Sequence, residues 1–141
     1  MKFATASLPF RVFSNQFLRN FASQKTGKAL LTTPKVSIGE GSLNYLLVSI
    51  YIHGETLFAR TIVRAHKDSH MALYDQVRSD MEEVGLCMKP LGGGMLNVDG
   101  KARKIKIHSM CKTFGEADHY RTKEILKSSK KYENYKISVG K

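Results

Sequence analysis

The stretch RAHKDSHMALYDQV, residues 64–77, places two histidines in a polar connection, and the second stands where an amphipathic helix begins. If Ser69 caps that helix, the amides of residues 70 to 72, Met71 among them, are left without intrahelical partners at the positive end of the helix dipole. Such an end binds phosphate through backbone donors alone. The same field disfavours an imidazolium, so an uncharged His70 ring is expected. A neutral imidazole beside a phosphoryl group can take a proton from water or attack phosphorus itself. The alternative is a solvated first-turn histidine with no chemistry to do.

A second stretch, HSMCKTFGEADH at 108–119, follows a strand and ends in a glycine turn, with Ser109, Cys111, Lys112 and Thr113 as donors. The three glycines at 92–94 suggest a phosphate cradle, but Met95-Leu96 follows them where a P-loop needs Gly-Lys-Ser/Thr. Glycines so placed more often permit a tight turn or close backbone contact. His108, His119 and Cys111 match no zinc spacing, so neither a metal nor another cofactor is expected.

These residues need a scaffold. The run SLNYLLVSIYIHG (42–54) is almost continuously apolar and reads as a strand buried on both faces. ETLFARTIVRA pairs with it across Gly54-Glu55. From His70 the apolar positions Leu73, Val77, Met81 and Val84 form one helical stripe, stopped by Gly85. LCMKPLGGGMLNVDGK gives a short apolar segment, then glycines and a turn at Asp99-Gly100. ARKIKIHSMC alternates basic and apolar residues, with Ile105 and Ile107 inward. A second helix with Ala117, Tyr120, Ile125 and Leu126 partly on one side and a final strand, YKISV, complete the order β-β-α-β-β-α-β. The expectation is a single α/β domain, a mixed sheet flanked by two α-helices.

The 141 residues are 42% apolar and carry a net charge of +11. Residues 1–35 hold six Lys/Arg and no acid, whereas 36–141 hold 17 Lys/Arg against 12 Asp/Glu. The chain therefore divides into a basic leader, 1–35, and a domain, 36–141, whose moderate basicity suits an anionic partner. Without an aromatic–basic stripe or a zinc pattern, nucleic acid is not expected. No apolar run approaches the ~20 residues of a membrane span. Two cysteines without framework spacing read as free thiols in a reducing compartment. In the leader, Phe10, Phe13, Phe17 and Phe21 recur at helical spacing beside Arg11 and Arg19, the pattern of a mitochondrial transit peptide with cleavage after Phe21. A disordered basic tail is the alternative, leaving location cytoplasmic or mitochondrial.

The segments TIVRA, HMALYDQV, LGGGMLN, KIKIHSMCKTFGEADH and KYENYKISV, in that order across Val36 to Val139, resemble the janus/phosphohistidine phosphatase family. The resemblance implies a small mixed-sheet α/β fold and metal-independent removal of phosphate from phosphohistidine in proteins, by a monomer. It puts the catalytic histidine on His70, the phosphate loop on Cys111, Lys112, Thr113, Phe114 and Gly115, and a family arginine on Arg64. It also implies the alternative of a non-catalytic phosphate- or partner-binding regulator in sexual differentiation and the male germline. Four departures weaken the catalytic expectation. Asn44 stands where the family has a phosphate-contacting lysine, Met95 where it has an arginine, and Cys111 where it has a serine. The connection from Arg64 to His70 is about two residues shorter. Each missing cation removes on the order of 1.5–3 kcal/mol of charged hydrogen bonding. Lys112, Arg64 and Lys67 are the cations that could replace them in part, and weakened turnover is expected.

Overall fold

In the computed structural model, which describes residues 26–140, six strands form one mixed sheet in the order β1-β3-β2-β4-β5-β6. The strands are β1 (Val36–Ser37), β2 (Gly41–Ile52), β3 (Glu55–His66), β4 (Cys87–Asp99), β5 (Lys104–His108) and β6 (Lys136–Val139). Helix α1 spans residues 26–32, α2 spans His70–Glu83 and α3 spans His119–Ser128. The central strands pair antiparallel, and the two outermost pairs, β1 with β3 and β5 with β6, are parallel. The amphipathic leader pattern and the proposed cleavage after Phe21 lie outside the described residues.

The strand period of two sorts the core into two layers. Even positions of β2 (Leu46, Val48, Ile50) join Ile62 under Leu73, Val77 and Met81 of α2, while odd positions (Leu43, Tyr45, Leu47) join Val63, Leu96, Ile105 and Ile107 under Leu126 of α3. This is why SLNYLLVSIYI could be apolar almost throughout: each face of β2 has its own helix. The α/β mixed sheet between α2 and α3 is the architecture expected from the sequence. The two-residue β1 and the short α1 are additional to it. Leu30 of α1 is buried with the α2 layer, although it precedes residue 36, where the sequence reading begins the domain.

The glycine-rich segment belongs to a continuous 13-residue strand. Its interior Pro90 lacks an amide to give the ladder, and the register of β2 against β4 shifts there, Leu47 facing Gly92 while Val48 faces Pro90. A one-residue bulge is how a sheet interior accommodates proline.

Candidate functional site

The glycines let other backbone approach β4. A Cβ on Gly92 would lie 2.8 Å from the Ala117 backbone, and one on Gly93 would lie 2.7 Å from the Tyr45 carbonyl oxygen. Through this gap the loop after β5 lies down on the strand: the Gly93 amide donates to the Gly115 carbonyl (3.0 Å), and the Ala117 amide donates to the Gly93 carbonyl (3.1 Å). Residues 111–115 close on themselves, the Gly115 amide donating to the Cys111 carbonyl at 2.8 Å with Gly115 at φ 84°. Phe114 then stacks on Tyr74 of α2, ring centroids 5.0 Å apart.

One residue further along β4, the Gly94 carbonyl oxygen accepts a hydrogen bond from His70 Nε2 at 2.9 Å. A carbonyl can only accept, so Nε2 carries the proton and, in the neutral ring, Nδ1 holds the lone pair. Ser69, at φ −61° and ψ 162°, caps α2 with its side chain accepting from the Ala72 amide (3.2 Å). Three free first-turn amides were expected. With Ala72 taken by the cap, those of His70 and Met71 remain. His70 is half-buried and the Met71 side chain exposed.

Beneath the start of α2, one row of side chains crosses the sheet in register: His66, Asn44, Met95 and His108. Asn44 Nδ2 donates to the Asp68 carbonyl at 2.9 Å, tying the short connection before α2 to the sheet. Lys112 and Thr113 are exposed, whereas Cys111 is 1% exposed, so its thiol faces the interior and its amide faces the Gly115 carbonyl. Arg64 is placed elsewhere. Its guanidinium donates to the carbonyls of Pro34 (2.8 Å) and Val63 (3.0 Å) and lines a cavity of about 210 Å³ along the flank of α2, with Gln76 and Asp80. Burial pushes its pKa down, against the pull of Asp80, while Arg60 adds to the lowering. The fold therefore gathers His70, Met71, Asn44, Met95 and the 111–115 loop around Gly93 and Gly94, and directs Arg64 to a separate cavity. Among the described residues no group of three His, Cys, Asp or Glu side chains could hold a metal ion.

The sequence reading missed the group that holds this arrangement from below. His119 is 7% exposed, and its Nε2 donates to the Ser109 carbonyl at 2.8 Å. In the neutral ring its Nδ1 then accepts from the hydroxyl of Tyr45 at 2.5 Å, and Thr122 Oγ1 lies 3.2 Å from the same hydroxyl. Burial pushes the Tyr45 phenol up to about 12. Ser109 occupies the left-handed region at φ 64°, costly for a residue with a Cβ, and the His119 bond falls on its carbonyl. The available signal was the three-residue spacing of His119 and Thr122, which shares one face of α3 with Leu126.

A helix-borne imidazole fixed to a glycine strand, with a loop folded over that strand, defines a class of small mixed-sheet α/β proteins. Within it, this chain belongs to the Janus/Ocnus family, whose model matches residues 30–136. It is 58% identical over 113 residues to the sex-regulated protein janus-B of Drosophila pseudoobscura pseudoobscura, covering 79% of this chain and 81% of that one. It is 43% identical over 112 residues to the protein of that name from Drosophila melanogaster, covering 79% and 80%. The described residues contain no helix long and apolar enough to cross a membrane.

Proposed function

We propose that the protein is a metal-independent protein phosphohistidine phosphatase of reduced activity, with His70 as its catalytic residue. The observation that carries this reading is the 2.9 Å bond from His70 Nε2 to the Gly94 carbonyl, which fixes the ring and commits the reactive lone pair to Nδ1. In the general-base route Nδ1 takes a proton from water as the water oxygen attacks phosphorus. The phosphorus–nitrogen bond of the substrate breaks, and its imidazole leaves with a proton. In the nucleophilic route Nδ1 bonds to phosphorus as the substrate's own phosphorus–nitrogen bond breaks and its imidazole leaves with a proton from solvent. Water then cleaves the new bond, releasing phosphate and restoring the Nδ1 lone pair. The His70 and Met71 amides and exposed Lys112 and Thr113 are the groups that would hold the phosphoryl oxygens.

A second reading is favoured by Asn44, whose amide is spent on the Asp68 carbonyl, and by Met95 beside it in register. Neither brings positive charge. In that reading the protein binds phosphate or a phosphorylated partner without turning it over, as a regulator in sexual differentiation and the male germline, in keeping with relatives called sex-regulated. We place it in the cytoplasm or, through its leader, the mitochondrion.

Incubation of the full chain with a phosphohistidine peptide decides between them. The enzyme reading expects phosphate release that is lost in His70→Ala and rises at least tenfold in the double variant Asn44→Lys, Met95→Arg, about 1.4 kcal/mol of recovered charge interaction. Phosphate binding with no release, in wild type and double variant alike, would establish the binding protein instead. Denaturing a wild-type turnover in alkali, where the phosphorus–nitrogen bond of a phosphohistidine survives, separates the two routes, since only the nucleophilic one leaves phosphate on His70.

A further inference from the structure

The face of the sheet that carries α2 is only partly covered by it. Beyond the row of Asn44 and Met95 comes the row Ser42, Asn97, Lys106 and Ser138, and beyond that Lys104 faces Lys136 directly across the β5–β6 pair. All six of these outer side chains are exposed, while the intervening Ile105, Ile107 and Ile137 are buried on the other face. The strands enclose an open groove of about 890 Å³ along this surface, with four lysines in its lining against the carboxylates of Glu40 and Asp99.

Like charges opposite one another on a sheet are destabilising. Yet Lys104 and Lys136 are in register, and among the described residues no ion pair joins either to a carboxylate. The fold has no structural need of that repulsion. We infer that this groove docks an extended acidic polypeptide segment, its carboxylates meeting Lys104, Lys106 and Lys136 and its backbone meeting Asn97, Ser42 and Ser138.

The chemistry of the lining selects this occupant. No aromatic ring lines the groove, so bases would find no stacking platform. The apolar residues in it, Val98 and Ile105, are 6% and 1% exposed, so nothing is available to enter a bilayer, and a concave surface does not match a flat one. An extended chain advances about 3.3 Å per residue, and strands lie about 4.8 Å apart, so alternate side chains of a short segment can follow the lysines across β5 and β6. Along the strands the Lys106 row lies about 7 Å from the Met95 row, two residues at that rise, so an occupant continuing toward α2 would reach the start of the helix. That the groove captures substrate rests on the reading of His70 above; its affinity for an acidic strand does not.

The test is fluorescence anisotropy of the full chain with a labelled ten-residue Glu-Ser repeat that lacks histidine and phosphate. Wild type is expected to bind at low salt and to weaken as salt rises. The triple variant Lys104→Ser, Lys106→Ser, Lys136→Ser should lose about tenfold in affinity, the sum of three modest exposed pairs, at unchanged melting temperature. His70→Ala should bind as wild type, and so should Lys123→Ser, Lys127→Ser, Lys130→Ser, which carries the same net charge as the groove variant. Equal affinity of the groove variant and wild type would overturn the inference, as would equal losses in both triple variants. So would a lysine-dependent affinity for a uridine dodecamer or phosphatidylserine vesicles with none for the peptide. Peptide binding by a chain inert toward phosphohistidine would refute the His70 reading and leave the groove standing.

Discussion

Alanine at position 94 would bring a methyl group into a space that is already full. The added Cβ would lie 2.7 Å from the His108 carbonyl oxygen, 2.8 Å from Cε1 of His119 and 2.9 Å from Cε1 of Tyr45, where ordinary contact begins at 3.4 Å. Each neighbour would have to retreat by about half an ångström or more to regain ordinary contact. One is backbone of β5, and the other two are buried rings hydrogen-bonded to each other, so no flexible side-chain end can give way. A cost near the top of the overpacking range, about 3 kcal/mol, is expected. For a chain of this size that lowers the melting temperature by about 12 °C, at about 4 °C per kcal/mol. The Gly94 carbonyl also holds His70, so the ¹⁵N resonance of His70 Nε2 should move in the variant. The control is Gly39→Ala, where a Cβ meets open space and the change should stay within about 0.5 kcal/mol. Calorimetry of the three proteins decides it. A Gly94→Ala protein melting within about 2 °C of wild type would refute the reasoning that close approach, rather than turn formation, explains the glycine run.

The Tyr45 phenol, raised by burial from 10.0 to about 12, stabilises the fold fully below pH 10, and that contribution is lost as pH rises toward 12. Tyr45→Phe should remove that dependence, worth at most about 3 kcal/mol, besides costing about 1–3 kcal/mol at neutral pH by unpairing His119. Urea midpoints at pH 9 and 11.5 test this, and parallel losses in both proteins would contradict it. Of the two cysteines, half-buried Cys87 should react with a thiol reagent in the native protein, and Cys111 only after unfolding. Fast labelling of both thiols would show that the 111–115 loop does not seal position 111.

The helical stripe of α2 and the alternation of β5 were legible because one face of each meets the core: Leu73, Val77, Met81, Ile105 and Ile107 are all buried. Val84, the fourth member of the stripe, is 44% exposed because it serves as the C-cap beyond the last turn. The inward side of the second helix was legible at Ala117, Ile125 and Leu126, which lie in or against the core, but not at Tyr120. Tyr120 is 68% exposed, and the buried positions are His119, Thr122 and Leu126. Polar residues cannot be assigned to an interior from sequence alone, since what permits their burial is Tyr45, 74 residues away along the chain. The glycine segment was not read as strand because glycine and proline disfavour sheets locally, and the contacts that override this preference come from elsewhere in the chain. At the site, His70 and its cap were readable from spacing. Its anchor was not, because a backbone carbonyl carries no sequence signature, and Arg64 could not be placed without knowing that it turns to Pro34.

Arg60 reaches across from β3 to the main-chain carbonyls of Leu30 and Thr33. This latch recognises peptide oxygens, which every amino acid supplies, rather than particular side chains. Apart from buried Leu30, the segment leading into β1 can therefore exchange residues over generations without losing its attachment. An insertion or deletion there would move the oxygens off the guanidinium, so chain length before β1 should drift less than its lettering.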